Sequence, residues 1–190
     1  MKISEKIALV DLDGTLADYH GQLYDDMCKI AGPHDTNSFP DEWHNLPEWM
    51  ENRRQVITGQ PGWWANLPKL KLGFDIYDLL ESYECEIHIL TKGPGSKPFA
   101  WKEKVEWVQK NVGDRSNITI TSDKGLVYGK ILVDDWPGYI ERWLEWRPRG
   151  LVIMPAHPYN LNFSHPNVVR YDGTNISQVI ERIEQRLDME

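Results

Sequence analysis

Two aspartates, Asp11 and Asp13, stand one residue apart directly after a run of four apolar residues at 7–10. Such a run is typical of a strand buried on both faces, because a half-solvated strand alternates apolar and polar residues. In an open parallel sheet, ligands bind beyond the carboxyl ends of the strands. Two acids this close repel each other unless a cation or a phosphoryl group compensates them. The pair therefore indicates a site of chemistry, with an ordinary turn ending at Gly14 as the alternative.

Polar residues also follow three later segments of the chain, at the points where predicted strands end or shortly after them. These residues are Thr91, Lys124, Asp134 and Asp135. Taken singly, each has an ordinary explanation: a helix cap or turn for the threonine, a solvated loop for the lysine, and a helix N-terminus for the acid pair. Their joint occurrence in this order predicts one shared site at the carboxyl edge of a sheet.

The second half of the chain alternates between apolar strand patterns and amphipathic helix patterns. Together with residues 7–10, strands are predicted at 85–90, 118–120, 131–133, 151–154 and 168–170. Strands that alternate with helices imply a parallel sheet with helices on both faces. We therefore predict an α/β, Rossmann-like fold.

Residues 18–72 carry helical patterns and no strand signal. A first helix is expected to end at Gly32, and a second to run from Pro47 to about Thr58, with a polar loop between them. This segment is predicted to be a small helical cap inserted after the first strand, so that residues 1–17 and 73–190 form the core domain.

Composition bounds the class of protein. A chain of 190 residues buries one core with a small insertion. Its 21 basic and 29 acidic residues give a net charge of −8, which argues against a polynucleotide partner. Two cysteines, no long apolar run and a charged N-terminus predict a cytoplasmic protein without a membrane partner. The oligomeric state, including a homodimer, stays open.

Nine tryptophans are an unusually heavy load for this length. We expect those in the predicted core helices to pack inside the protein: Trp101, Trp107, Trp143 and Trp146. Four others in or beside the cap helices either pack or line a pocket where an indole stacks on a nucleobase: Trp43, Trp49, Trp63 and Trp64. His20 is expected at the surface. Arg54 is expected on a solvated helix face, with a phosphate contact as the alternative.

The four motifs together resemble those of the haloacid dehalogenase superfamily of phosphotransferases, with residues 11–15 as the first motif. The resemblance implies that Asp11 is a nucleophile and Asp13 a general acid and base. Thr91 would donate to a phosphate oxygen, and Lys124 would neutralise charge in the transition state. A carboxylate suits this chemistry, since it attacks phosphorus without first losing a proton.

A metal ion is part of the same resemblance. Two anions approach each other more readily beside a cation, and hard oxygen ligands favour Mg²⁺. The resemblance implies ligands from Asp11, the backbone carbonyl of Asp13 and the acid pair, with Asp135 as the ligand and Asp134 ordering the water shell.

Within the superfamily the chain is most similar to the 5'(3')-deoxyribonucleotidases. The likeness lies in the stretch from Lys124 to Pro137, the aromatic turn at 62–68, the helix at 104–108 and residues 157–160. It implies a nucleoside monophosphate as substrate. Tyr19 would lie against the base, with Trp63 and Trp64 stacking nearby.

Two departures touch the substrate surroundings. Lys92 stands where these enzymes usually carry a small hydroxyl residue, and Trp136 where a basic residue is frequent. The alternatives are a phosphatase of another small metabolite and a non-catalytic binding module, which the intact motifs oppose. A phosphatase of polynucleotide ends conflicts with the acidic balance.

Overall fold

A computed structural model of the chain describes residues 6–32 and 46–187. Its centre is a six-stranded sheet in which every pairing is parallel, in the order β3-β2-β1-β4-β5-β6. The strands are β1 (Ile7–Val10), β2 (Glu86–Thr91), β3 (Asn117–Ile120), β4 (Ile131–Val133), β5 (Leu151–Pro155) and β6 (Val168–Tyr171). The predicted parallel α/β sheet is confirmed.

Strand β1 lies between β2 and β4, and this position determines where a ligand can bind. The chain first adds β2 and β3 on one side of β1, then crosses over to add β4, β5 and β6 on the other. The switch in direction opens a crevice beyond the carboxyl ends of β1 and β4. Asp11 follows β1 there, and its backbone N–H donates to the carbonyl of Val133 at 2.8 Å.

Six α-helices accompany the sheet. They are α1 (Tyr19–Lys29), α2 (Glu48–Ile57), α3 (Lys71–Ser82), α4 (Pro98–Asn111), α5 (Pro137–Trp146) and α6 (Ile176–Leu187). Residues of α3, α4 and α6 pack on one face of the sheet, and residues of α5 pack on the other. None of the helices in the described part of the chain has the length and apolar character needed to span a membrane.

The buried strands divide their side chains between the two faces. Ala8 and Val10 point into one core layer and Leu9 into the other, as the period of two in a strand requires. Trp107 and Trp143 are fully buried, one in each layer. Each indole N–H has a backbone carbonyl as its acceptor, at 2.7 and 3.1 Å, so burial leaves no indole donor unpaired.

The prediction that all four core-helix tryptophans pack inside was wrong for two of them. Trp101 is 41% exposed and Trp146 is 61% exposed. The indole of Trp101 lies over Gly93 and donates to Pro94 at 3.1 Å, while Trp146 ends α5 beneath the guanidinium of Arg142. Helical spacing does not separate a core face from a flank that covers a loop.

Helices α1 and α2 pack on each other around a small apolar cluster of their own, made by Leu23, Met27, Met50 and Ile57. Asp18 begins α1 by accepting the N–H of Gly21 at 2.9 Å, which satisfies one of the free donors at the helix start. The predicted loop between the two helices and Trp43 lie outside the described residues.

Helix α4 holds the segment that leads from α2 back to the sheet. The buried carboxylate of Glu103 accepts the backbone N–H groups of Gly62 at 2.8 Å and Trp64 at 3.1 Å. At the start of the same helix, Lys97 donates to the carbonyl of Gln55 at 3.1 Å and to the hydroxyl of Thr58. These contacts attach the α1–α2 region to the main core.

Candidate active site

A cavity of about 300 Å³ opens beyond the carboxyl ends of β1, β2 and β4. Its floor includes Asp11, Asp13, Thr91, Lys124 and Asp135, which the sequence predicted to meet at this edge. The turn after β1 makes this possible, because Leu12 accepts the N–H groups of both Leu16 and Ala17. The chain thereby folds back just beyond the two aspartates.

Gly14 is required in this turn for two reasons. Its φ is +79°, a conformation that residues with a Cβ rarely adopt. A Cβ at this position would also lie 2.6 Å from the Oδ2 atom of Asp135. The turn after β1 and the acid pair after β4 therefore touch directly.

Lys124 is the central cation of the floor. Its Nζ lies 2.7 Å from the Oδ1 atom of Asp11 and 2.7 Å from the Oδ2 atom of Asp134, and the side chain is only 1% exposed. Burial alone would lower the pKa of Lys124, but the two carboxylates outweigh it and raise the pKa above its usual value. Lys124 therefore stays charged at neutral pH.

Two buried carboxyl groups share this one ammonium, so one negative charge is left over when both are ionised. Burial raises the pKa of Asp11, with Lys124 opposing and Asp13 reinforcing the shift. Burial likewise raises the pKa of Asp134, again with Lys124 opposing. Without a cation, the raised pKa means that one of the two carboxyl groups tends to hold a proton, and a bound cation would take the place of that proton.

Three carboxylates come close enough to hold such a cation. Asp11, Asp134 and Asp135 are all buried, and each offers one oxygen within 4.8 Å of the others. These are hard oxygen donors, the chemistry that a divalent cation of the Mg²⁺ or Ca²⁺ type prefers. The donor set and the surplus charge both fit. The carboxylate of Asp13 does not belong to this group, and the predicted role of Asp13 at the metal site is that of its backbone carbonyl.

Asp135 is held at each of its oxygens by a hydroxyl group. Thr15 Oγ1 donates to Oδ1 at 3.0 Å, and the Tyr159 hydroxyl donates to Oδ2 at 2.6 Å. Asn160 donates to the backbone carbonyl of Asp135 at 3.0 Å. The carboxylate is thus fixed in rotation. Residues 157–160 carry part of the family resemblance in the sequence, but nothing there predicts this role for Tyr159.

Asp13 is paired with a second buried lysine, Lys104. The ammonium group contacts Asp13 Oδ2, the Thr91 hydroxyl at 3.2 Å and the carbonyl of Lys92 at 2.6 Å, and the side chain is 2% exposed. It lies 5.0 Å from the ring centroid of Trp64. The other carboxylate oxygen of Asp13 is buried and has no hydrogen-bond partner among the described residues.

Sequence reasoning missed Lys104 as a site residue, although a signal was present. Ala100, Lys104, Trp107 and Val108 follow the i, i+4, i+7, i+8 spacing of one helix face, and all four are buried in α4. A lysine on a buried helix face needs an anionic partner. Because the predicted acids lie at the carboxyl edge of the sheet, this requirement indicated that Lys104 contacts one of them.

The other wall of the cavity comes from α1, α2 and the segment after α2. Tyr19 and Trp64 line it, with ring centroids 5.4 Å apart and an angle of 28° between the ring planes. The indole N–H of Trp64 donates to Thr58 at 2.9 Å, which fixes the ring. Burial raises the pKa of Tyr19 to about 12, so its hydroxyl is neutral at physiological pH.

The other aromatic residues considered for the pocket do not all line the cavity. Trp63 does not line the cavity, because its indole turns away and donates to Asp26 at 2.9 Å. Trp49 is 46% exposed beneath the guanidinium of Arg53. Lys92 and Trp136 do line the cavity, so both departures from the family pattern face its interior.

His20 and Arg54 are partly exposed and line the cavity, which the surface expectation did not foresee for His20 and which agrees with the alternative kept open for Arg54. His20 packs against Tyr159, with ring centroids 4.7 Å apart. Arg54 turns inward while it pairs with Glu51 at 2.8 Å. Which residues of α1 and α2 face the cavity depends on how the two helices pack together, and the sequence does not show that packing.

Residues 5–183 match the model of the family described as "5' nucleotidase, deoxy (Pyrimidine), cytosolic type C protein". Two curated relatives carry the name "Putative 5'(3')-deoxyribonucleotidase". The protein from Bordetella bronchiseptica is 26% identical over 161 residues, which cover 81% of this chain and 85% of that protein. The protein from Vibrio phage KVP40 is 22% identical over 138 residues, covering 70% of this chain and 68% of that protein.

Solved structures share the fold at low sequence identity. A haloacid dehalogenase-like hydrolase from Burkholderia xenovorans superposes with a TM-score of 0.57 at 15% identity, covering 97% of this chain and 99% of that one. A haloacid dehalogenase-like family hydrolase from Xanthomonas campestris superposes with a TM-score of 0.55 at 12% identity, covering 97% of this chain and 98% of that one.

Proposed function

The chain belongs to the family of 5' nucleotidase, deoxy (pyrimidine), cytosolic type C proteins, and from this membership we propose that it hydrolyses nucleoside monophosphates to nucleosides and inorganic phosphate. The observation that carries the proposal is the floor of the cavity. There a buried Asp11, ion-paired with Lys124, lies beside a second carboxylate, Asp13, that has its own lysine.

Asp11 is the proposed nucleophile. One of its carboxylate oxygens attacks the phosphorus atom, the ester P–O bond breaks, and the bonding electrons leave with the oxygen of the nucleoside. An aspartyl phosphate forms on Asp11. The Lys124 ammonium, 2.7 Å from Asp11, supports this role because it offsets the negative charge that collects on the transferred group.

Asp13 is the proposed general acid and base. It gives its proton to the departing oxygen, then takes a proton from the water that attacks the aspartyl phosphate, which releases phosphate and restores Asp11. The oxygen of Asp13 that has no partner among the described residues supports this assignment. Thr91 would donate to a phosphate oxygen, and Lys104 would orient Asp13.

We propose Mg²⁺ as the cation of the acidic group. Asp11 and Asp135 would be its side-chain ligands, with the backbone carbonyl of Asp13, and Asp134 would order its water shell. Support comes from the positions of the acid pair: Asp135 lines the cavity, whereas Asp134 is turned to Lys124. When bound, the ion neutralises charge as the phosphate and the Asp11 carboxylate approach each other.

The nucleoside is proposed to lie along the aromatic wall, against Tyr19 and Trp64, with Lys92 at the cavity edge. We also propose that residues 18–72 form a cap on a core of residues 1–17 and 73–190. The separate apolar cluster of α1 and α2 supports this division. The end of the cap is shared, since Trp64 and Leu67 pack in the main core.

The test is phosphate release from a panel of ribo- and deoxyribonucleoside 5'- and 3'-monophosphates in the presence of Mg²⁺. We expect turnover of at least one nucleotide and a loss of at least about 10³-fold in kcat for Asp11→Asn. Trapping of ³²P on the protein from labelled substrate, absent in the variant, would support the covalent step. Turnover that survives Asp11→Asn would refute the mechanism.

A second candidate is a phosphatase of another small phosphorylated metabolite. Lys92 favours it, because an exposed ammonium at the cavity edge, 5.6 Å from the ring centroid of Tyr139, suits a leaving group with its own negative charge. Brisk turnover of phosphorylated acids in the same panel, with none of any nucleotide, would select this candidate.

A further inference from the structure

A second concave site lies at the opposite edge of the sheet, where β5 begins. It is a groove of about 190 Å³, and three arginines contribute to its lining: Arg149, Arg182 and Arg186. Gly150, Leu151, Asn167 and Gln185 complete it. Because β5 runs from Leu151 at this groove toward the edge that carries the candidate active site, the two sites are separated by the length of the strands.

The three guanidinium groups have no carboxylate within ion-pair distance among the described residues. Arg182 donates to the carbonyl of Pro166 at 2.8 Å, and Arg186 donates to that of Lys130 at 3.2 Å. Arg149 has no polar partner within the described ranges. Elsewhere Arg142 pairs with both Asp123 and Glu145. A chain with 29 acidic and 21 basic residues has an excess of acids, yet within residues 6–32 and 46–187 no carboxylate pairs with any of these three cations.

Helix ends do not account for this charge. Arg186 lies in the last turn of α6, and Arg149 follows shortly after the end of α5. The C-terminus of a helix carries the equivalent of about −0.5 charge, so the two ends offset about one of the three positive charges. Counted over the described lining residues, about two positive charges remain, which is the charge that a phosphate dianion would neutralise.

The donors also suit a phosphoryl group. A guanidinium is planar and presents five N–H donors that match phosphate oxygens in pairs. Arg182 and Arg186 each have donors left, and their backbone contacts fix them in place before any ligand arrives. The volume is below the roughly 300–1,000 Å³ typical of pockets for drug-sized molecules. It accommodates a phosphoryl group rather than a whole nucleotide.

From this geometry we propose that the groove of Arg149, Arg182 and Arg186 is a second anion site, which binds a phosphoryl group. That group comes either from free inorganic phosphate or from the exposed phosphate end of a nucleoside triphosphate. The site does not depend on the proposed function, because it shares no residue with the candidate active site.

The experiment is a titration of the ¹⁵N-labelled full chain followed by amide chemical shifts. Inorganic phosphate and, separately, ATP are added at constant ionic strength, with chloride as the control. We expect saturable shifts at Gly150, Leu151 and Asn167, separate from shifts at Gly14 and Thr91 in the candidate active site. The anion that saturates the groove at the lower concentration identifies the source.

Arg149→Gln is the main variant, because Arg149 makes no hydrogen bond or ion pair within the described ranges that the substitution would remove. We expect affinity at the groove to fall about tenfold, as for a lost charge-assisted hydrogen bond, with shifts at Gly14 unchanged. Arg115→Gln, an exposed arginine elsewhere, is the matched control and should change nothing. Shifts that do not saturate, that chloride reproduces, or that Arg149→Gln leaves intact would overturn the proposal.

Discussion

The floor and the aromatic wall of the cavity are built on different principles. On the floor, each of the two carboxylates Asp11 and Asp13 meets a buried lysine within a rigid sheet edge. On the wall, Tyr19 and Trp64 are held by ring packing, by the indole hydrogen bond of Trp64 and by a hydrogen bond between Tyr19 and Arg54. The floor is therefore expected to govern the rate of chemistry, and the wall to govern which molecule is held there.

The largest effect is expected from Lys124→Met. Removing this ammonium leaves Asp11 and Asp134 buried without their counter-charge, so we expect a loss of about 3–5 kcal/mol in the free energy of unfolding. Urea denaturation of the metal-free protein measures it. A loss below about 1 kcal/mol would mean that the floor is not held together by this ion pair.

The next effect concerns Lys104→Met. If Lys104 orients Asp13, kcat should fall by about 10²–10⁴-fold, with a smaller change in KM and an altered pH profile. Lys102→Met, an exposed lysine of the same helix paired with Glu106, is the control and should leave kcat unchanged. Equal losses in the two variants would remove Lys104 from the catalytic floor.

Tyr159→Phe removes one hydroxyl from Asp135 and keeps the ring. We expect divalent cations to bind about 10–100-fold more weakly, because the partners of a ligand hold it in the binding orientation. Calorimetric titration with Mg²⁺ measures this affinity directly and does not depend on enzymatic activity. Tyr83→Phe, whose hydroxyl contacts Glu184 far from the cavity, should bind Mg²⁺ as the unaltered chain does.

The wall is tested by Tyr19→Leu against Trp63→Leu. Loss of a ring that stacks on a base should raise KM about tenfold and change kcat little. Trp63 lies outside the cavity but packs edge-on against Tyr19, with ring centroids 5.4 Å apart, so its variant should raise KM less than Tyr19→Leu does. If Trp63→Leu raises KM more than Tyr19→Leu, the nucleoside does not lie on the proposed wall.

The smallest expected effect is a pH dependence of the free energy of unfolding that comes from Asp26, the acceptor of the Trp63 indole N–H. Burial would raise the pKa of Asp26, but hydrogen bonds from Lys29, Gln22 and Trp63 outweigh it and lower the pKa. The stabilisation is therefore present above the unfolded-state pKa of about 3.9 and is lost as the pH falls through the native value. We expect Asp26→Asn to cost about 1 kcal/mol or less at pH 7, with the difference disappearing in acid. If the difference in stability between Asp26→Asn and the unaltered chain stays constant with pH, the Asp26 carboxylate is not the source of the pH dependence.

Much of the floor could be predicted from the sequence. Strand ends in a parallel sheet converge on one edge, so Asp11, Thr91 and Asp135 could be brought together from apolar runs and the residues that follow them. The alternation of strands and helices predicts a parallel sheet but not the order of its strands, so the crevice between β1 and β4 was found only in the structure.

The wall could not be predicted in the same way. Whether Trp63 or Trp64 faces the cavity depends on a turn that begins at Gly62, with φ +82°, and on the carboxylate of Glu103. Neighbouring residues with identical side chains give no signal that separates them. Lys104 could have been found from its place on a buried helix face.

Glu103 and Lys104 are adjacent residues of α4, and they contact opposite sides of the cavity. Glu103 fixes the backbone of Trp64, and Lys104 fixes Asp13. The position of this one turn of α4 therefore determines the distance between the ring of Trp64 and the carboxylate of Asp13. Under the proposed mechanism, a substitution that shifts α4 along its axis should change which sizes of leaving group fit that gap and how far the proton of Asp13 must travel.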